Sequence, residues 1–94
     1  MSDKMKTTNE NYRKELEVLA EGLKKRNIPF EFHKLWDGYQ IVAEGWDAIC
    51  HSGSYGHEEG LLETMGLKDD DNDDDDVIGY LTADEVLELV DKQT

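Results

Sequence analysis

The sequence is short of the residues that would point to an oxidising compartment or to a membrane. It has one cysteine, Cys50, so no internal disulfide can form and a reducing cytosol is the expected environment. The N-terminal stretch MSDKMKTTNE is polar and lacks the apolar segment of a signal peptide. No apolar run approaches the ~20 residues needed to span a bilayer. We therefore expect a cytoplasmic protein with no membrane partner.

Basic residues are also scarce, because ten Lys and Arg stand against 23 Asp and Glu and leave a net charge of −13. The imbalance is uneven: residues 1–43 carry eight basic and seven acidic groups, whereas residues 44–94 carry two basic and sixteen acidic groups. Such a surface repels phosphate backbones, which argues against direct nucleic-acid binding. It attracts basic proteins, including the grooves of nucleic-acid enzymes. The alternative is that the acidity only keeps a small protein soluble.

The N-terminal sequence is interpreted as a loose tail over residues 1–6, followed by a helix. Thr7 and Glu10 have the spacing of a capping box. Asn27 and Pro29 are typical of a helix end. Apolar residues at helical spacing form one stripe on this helix, namely Tyr12, Leu16, Leu19 and Leu23.

From Phe30 to Cys50 the alternation of apolar and polar residues predicts a three-stranded antiparallel meander. Asp37-Gly38 and Glu44-Gly45 are interpreted as its two-residue turns. The other face of the sheet is partly apolar and needs a cover, either the last two helices or a second copy of the chain, so a monomer or a homodimer is expected. The face expected against the helix carries Phe30, Phe32, Trp36, Tyr39, Ile41, Ala43, Trp46, Ala48 and Cys50.

The C-terminal half is predicted to contain two short helices around an acidic loop. The first runs from about His57 to Met65, with Gly66 as its left-handed stop. Residues 69–76 hold seven Asp in eight positions, and their mutual repulsion predicts a mobile loop. VIGYL, residues 77–81, would add a fourth edge strand. A capping box at Thr82 and Glu85 begins the last helix, whose buried stripe is Ala83, Val86, Leu87 and Val90.

The predicted fold is therefore a single α+β domain over residues 7–94. An N-terminal helix packs on the meander, to which the edge strand can be added, and two short helices follow.

Potential metal ligands converge from three segments at one end of this predicted sheet. Thiolate, imidazole and carboxylate are the groups that Zn²⁺ takes in tetrahedral sites. A structural zinc would also compensate for a small core. The alternative is that Cys50 is a small core residue, that Ser52 or Ser54 caps a helix, and that His57 is exposed. The four candidate ligands are Asp37, Cys50, His51 and His57.

Other chemistries fit this segment poorly, and we predict no enzymatic activity. No Lys or Arg occurs from Asp47 to Leu67, so the Gly-Ser segment lacks the cations of a phosphate-binding loop. Cys50 and His51 are neighbours on a strand, so they point to opposite faces and cannot form a nucleophile–base pair. The acidic run resembles the start of an EF-hand loop. It lacks the central Gly and the closing Glu, which favours a solvated loop over a calcium site.

Two stretches, FEFHKLWDGYQIVAEGWDAICHSGSYGHEEGLLETMG and GYLTADEVLELV, resemble small proteins carried by phages and prophages of Gram-positive bacteria. The resemblance covers roughly residues 28–90. Some small acidic phage proteins are anti-CRISPR inhibitors, which bind the RNA-guided nuclease of type II systems and block DNA loading, and a few of them hold a structural metal. The resemblance thus implies an inhibitor acting in the cytoplasm of an infected or lysogenic bacterium.

Charge and resemblance together predict a small acidic inhibitor that binds a basic groove of a bacterial nucleic-acid enzyme and competes there with the phosphate backbone. The alternative is a metal-stabilised structural or regulatory module whose partner is not a nucleic-acid enzyme. The residues expected to contact the partner are Glu63, Asp69, Asp70, Asp71, Asp73, Asp74, Asp75, Asp76, Asp84, Glu85 and Glu88.

Overall fold

A computed structural model describes residues 11–67 and 77–93 of the chain. The strands form one antiparallel sheet in chain order, with β1 and β5 at its edges. The α+β class and the edge strand at residues 77–81 are confirmed, although this strand is the fifth of the sheet and not the fourth. The tail, the first capping box and the acidic run at 69–76 lie outside the described residues. The elements are α1 (Asn11–Lys25), β1 (Phe30–Leu35), β2 (Gly38–Ala43), β3 (Trp46–Cys50), β4 (Leu62–Met65), β5 (Val77–Leu81) and α2 (Ala83–Lys92).

Helix α1 buries the apolar stripe that its sequence predicts. Tyr12, Leu16, Leu19 and Leu23 are all buried, and each leucine removed from water contributes about 1.5–3 kcal/mol. Asn27 then takes a left-handed φ of 58°, a conformation that Asn tolerates better than most residues and that breaks the helix.

Helix α2 begins as predicted. The backbone N–H of Thr82 donates to the Glu85 carboxylate at 2.8 Å, and the N–H of Glu85 donates to the Thr82 hydroxyl at 3.2 Å, which completes the capping box. Its predicted stripe is buried together with Leu89.

The two helices lie side by side on the sheet face that carries Ile41 and Ala48, and their buried residues form a single core. Gly22 of α1 allows this approach, because a Cβ there would collide with the Leu87 side chain. Arg26 and Asp91 join the helices through two hydrogen bonds of 2.9 and 3.0 Å.

The first hairpin differs from the prediction, although the second agrees with it. Tyr39 pairs with Cys50 as expected, around a Glu44-Gly45 turn. Between β1 and β2, however, Leu35 pairs with Gly38, so the turn residues are Trp36 and Asp37. The register moves by two residues, which keeps every strand residue on its predicted face. Trp36 leaves the core face and is 76 % exposed.

The helix predicted from His57 to Met65 is wrong. Residues His57–Glu59 form one 3₁₀ turn, and β4 follows. Gly56 and Gly60 bracket the turn with φ of 93° and 74°, which stops any longer helix. Leu62 and Thr64 are buried, whereas Glu63 is half-buried and Met65 is exposed, so this segment is a strand of period two. Gly66 follows β4 instead of ending a helix.

The second face of the sheet has no helix over it within the described residues, because α2 shares the face of α1. The expectation that the last two helices cover this face is therefore wrong. Polar side chains occupy much of it: Gln40 contacts His33 and donates to Asp47, both at 2.7 Å.

Candidate functional site

One end of the sheet, here called the loop end, consists of the β1–β2 turn (Trp36 and Asp37), residues 51–61 and Tyr80 near the end of β5. Antiparallel pairing in chain order brings these three segments together. The three most exposed large hydrophobic side chains of the described residues lie here, namely Trp36, Tyr55 and Tyr80. An exposed group of aromatic residues is typical of a binding surface.

The β1–β2 turn is held by the loop that follows β3. The backbone N–H of Ser52 donates to Asp37 Oδ1 at 3.1 Å, and this hydrogen bond lowers the pKa of the Asp37 carboxyl. Trp36 takes a φ of 57°. Both favoured two-residue hairpin turns need a positive φ at their first loop residue, where Gly or Asn is usual and a bulky side chain is strained.

Gly38 explains why the turn residues are not the expected Asp-Gly pair. Its φ is not in the left-handed region, so the turn does not use its freedom. Instead a Cβ at Gly38 would collide with the carbonyl oxygen of Cys50 and lie 2.7 Å from the His51 Cα. The glycine is therefore needed for close packing between β2 and the end of β3.

His51 is the first residue of the loop 51–61, and its side chain is buried. Its Nδ1 accepts a hydrogen bond from the Gly53 N–H at 2.9 Å, and its ring meets the Trp36 ring edge-on at a centroid distance of 4.7 Å. Ser54, also buried, accepts from the His51 N–H at 3.0 Å and donates to the His51 carbonyl at 2.9 Å. These bonds fix the loop and, through it, the position of the exposed Trp36.

Tyr55 is exposed, but its backbone is fixed. Its N–H donates to Glu63 Oε1 at 2.8 Å. A Cβ at Gly79 would lie 2.5 Å from the Tyr55 Cβ, so the absence of a side chain on β5 makes room for the stem of Tyr55. Only the ring of Tyr55 therefore projects from an otherwise rigid loop.

Tyr80 projects because β5 contains a bulge. Leu62 pairs with Leu81 and Thr64 with Ile78, so Glu63 faces two residues, Gly79 and Tyr80. Tyr80 has a φ of 60°, which costs a non-Gly residue on the order of 1–3 kcal/mol. Bulges re-aim side chains and are common beside functional sites. Here the bulge accompanies a tyrosine that is largely exposed to solvent.

A depression of about 240 Å³ lies between the loop and the bulge. The residues that line it are Ser52, Gly53, Ser54, Tyr55, Gly56, His57, Glu58 and Tyr80. Its described lining contains a carboxylate but no Lys or Arg, so it favours a cation over an anion.

The four predicted metal ligands do not meet in one cluster. Asp37 lies near His51, whereas His57 Nδ1 is 3.2 Å from the Tyr12 hydroxyl and Cys50 is buried in the core. Burial, with the charges of Asp37 and Glu15, raises the pKa of Cys50 to about 12, so it is a thiol at neutral pH. Within residues 11–67 and 77–93, no three His, Cys, Asp or Glu side chains are placed to hold a metal ion.

The zinc site stays a prediction that metal analysis can test. A site built from these residues predicts near-stoichiometric zinc in the purified protein, lost in Cys50→Ser and in His57→Ala. If the purified protein contains no zinc, residues 51–61 are a hydrogen-bonded loop that holds no metal.

The predicted partner-binding residues fall into three groups. Glu63 and Glu85 hold backbone N–H groups of Tyr55 and Thr82 and so have structural roles. Asp84 and Glu88 are exposed on α2. The seven Asp of residues 69–76 lie outside the described residues. The alternating pattern of β1 placed Trp36 on the core face, and no sequence pattern singled out Tyr55 or Tyr80 as surface residues.

Comparison with protein-family models, curated proteins and solved structures found no match for this chain. Among the described helices, neither has the length and apolar character needed to cross a membrane.

Proposed function

We propose that this chain is an acidic binding protein that docks on a basic groove of a bacterial nucleic-acid enzyme and blocks nucleic-acid binding there. The resemblance to phage and prophage proteins makes the RNA-guided nuclease of type II systems the first enzyme to test. On this proposal the protein works in the bacterial cytoplasm and contacts no nucleic acid itself.

The observation that carries the proposal is how few of the described acidic residues from Glu44 onward are neutralised by a described Lys or Arg. Nine acidic residues from Glu44 onward are described, and only Asp91 forms an ion pair with a Lys or Arg of the described chain. Glu58, Glu59, Asp84 and Glu88 are exposed. Charges left unpaired on a folded surface are available to a basic partner and raise its association rate.

The exposed aromatic side chains of the loop end offer a partner apolar contacts in addition to the charge of the acidic surface. Trp and Tyr are enriched among residues that dominate binding energy. Trp36, Tyr55 and Tyr80 are presented by backbone that hydrogen bonds and a bulge hold in place, so little conformational entropy would be lost on binding.

The test is a DNA-binding assay with guide-loaded type II nucleases from several Gram-positive bacteria. We expect added protein to prevent target-DNA binding by at least one of them, and the inhibition to weaken steeply between about 50 and 300 mM salt, because screening shortens the reach of charge. No inhibition across the panel would reject the nuclease as the target. Inhibition that is insensitive to salt would reject the charge mechanism.

A matched pair of variants separates a specific acidic contact from bulk charge. Asp84→Asn with Glu88→Gln removes two exposed charges from α2, and Glu17→Gln with Glu21→Gln removes two from α1, where each has a cationic neighbour. We expect the α2 variant to lose inhibition about tenfold and the α1 variant to change it less than threefold. Equal losses would mean that only net charge matters.

A further inference from the structure

We infer that the depression between Tyr55 and Tyr80 is a binding site for an arginine side chain of a protein partner, with Glu58 as its counter-charge. The inference rests on the proposed function in one respect, because it names where a cationic side chain of the basic partner would bind.

The shape of the site comes from two backbone features, which meet where the Tyr80 N–H approaches the Tyr55 carbonyl oxygen at 3.5 Å. The loop is fixed by the bond between the Tyr55 N–H and Glu63, and Gly79 makes room for the tyrosine stem. The bulge in β5 and the left-handed φ of Tyr80 place a second aromatic side chain at the same depression. Neither ring is needed for the core, since both are mostly exposed.

The chemistry of the lining selects a cation with a flat face. Tyr55 and Tyr80 both line the depression, and guanidinium groups stack on the π faces of phenol rings more readily than ammonium groups do. Glu58 adds a carboxylate that can accept paired N–H bonds from a guanidinium. No Lys or Arg of the described chain lines the depression to compete for these groups.

The fold already contains an example of this contact. The guanidinium of Arg13 lies over the Tyr39 ring at 5.5 Å from its centroid, on a different part of the surface. A tyrosine beside a carboxylate on this acidic chain is thus a suitable receptor for arginine, whereas a phosphate or carboxylate ligand would face Glu58 and the net negative charge.

The experiment titrates ¹⁵N-labelled full-length protein with the blocked tripeptide acetyl-Gly-Arg-Gly-amide and follows amide shifts by NMR at about 150 mM salt. Two further probes carry Lys or citrulline in place of Arg. Citrulline keeps the shape of arginine without its charge. We expect saturable shifts at Tyr55, Glu58 and Tyr80 with the Arg probe, at least fivefold weaker binding of the Lys probe, and no saturation with citrulline.

Variants locate the site. Tyr80→Gly and Tyr55→Ala should each weaken the Arg probe at least fivefold, whereas Tyr80→Phe should retain binding because it keeps the π face. Met65→Ala removes another exposed hydrophobic side chain and should leave binding unchanged. A dispersed amide spectrum for each variant establishes that it is folded.

Shifts spread over the acidic surface, or binding that survives both Tyr80→Gly and Tyr55→Ala, would overturn the inference. The outcomes also separate it from the proposed function. Arginine binding here without inhibition of any nuclease would reject only the proposed function, and inhibition unaffected by these variants would reject only the inferred site.

Discussion

The two hairpin turns of one meander use glycine in opposite ways. At the β2–β3 turn, Gly45 takes a φ of 89° and a Cβ there would meet nothing within 4 Å, so this glycine serves the turn alone. At the β1–β2 turn, Gly38 serves packing against Cys50, and Trp36 takes the left-handed position at a φ of 57°. The β2–β3 turn is relaxed and the β1–β2 turn is strained.

On the proposed function, this difference distinguishes the end of the sheet that would contact a partner. A bulky residue in the left-handed region persists only where surrounding structure holds it, and such residues cluster at binding and active sites. Both bulky examples among the described residues, Trp36 and Tyr80, lie at the loop end and are exposed. We interpret their strain as the cost of presenting aromatic side chains to a partner.

The largest expected effect comes from Gly38→Ala. Because the new Cβ would collide with backbone, which cannot rotate away, we expect the free energy of unfolding to fall by about 3 kcal/mol or more. Gly45→Ala is the matched control and should cost only about 1–2 kcal/mol, from its positive φ. Urea denaturation of both proteins measures the difference, and equal losses would remove the packing role of Gly38.

Ser54→Ala tests whether hydrogen bonds hold the loop end. The substitution leaves the buried His51 N–H without its acceptor, which should cost about 1–3 kcal/mol. Ser52→Ala is the control: it removes the weaker hydrogen bond from the Ser52 hydroxyl to Asp37 but keeps the stronger one from the Ser52 backbone N–H. Thermal unfolding followed by circular dichroism compares them. A Ser52 loss as large as that of Ser54 would contradict the assigned hydrogen bonds.

Trp36→Gly should have the opposite sign. Glycine accepts a positive φ without strain, so we expect the unfolding free energy to rise by about 0.5–1 kcal/mol in spite of the lost contact with His51. Chemical denaturation measures it. A loss of stability would show that Trp36 is a structural residue and would weaken the comparison of the two turns.

The smallest effect concerns the charge of Asp37. Its folded pKa lies below the unfolded value of 3.8, so its hydrogen bond to the Ser52 N–H stabilises fully above that value and is lost as pH falls through the folded pKa. Asp37→Asn keeps an acceptor oxygen but no charge. The stability difference between wild type and Asp37→Asn, measured by urea denaturation, should shrink from about pH 6 to about pH 2. A difference that does not change with pH would argue against this bond.

The sequence predicted the elements that have strong local signals. The stripe of α1, the capping box of α2 and the pairing of Tyr39 with Cys50 follow from periodicity and turn chemistry, and the structure confirms them. Each of these features follows from a pattern in neighbouring residues: helical periodicity, a pair of capping residues or a two-residue turn.

The errors share a cause, because each depends on contacts between distant segments. The role of Gly38 is set by the carbonyl of Cys50, and the end of the 3₁₀ turn at Gly60 is set partly by Asn11, whose carbonyl oxygen would lie 3.0 Å from a Cβ there. The bulge at Tyr80 depends on the pairing of β4 with β5. The sequence does contain one pattern that argues against a helix from His57, namely two glycines within five residues, Gly56 and Gly60.

The most direct test of this account is the free energy of unfolding of Tyr80→Gly. If Tyr80 is held in a strained conformation for binding, glycine should leave that free energy equal to or above the wild-type value, because relief of the left-handed φ offsets the loss of a mostly exposed ring. A decrease of about 1 kcal/mol or more would contradict the account, since Tyr80 would then stabilise the fold through its own contacts.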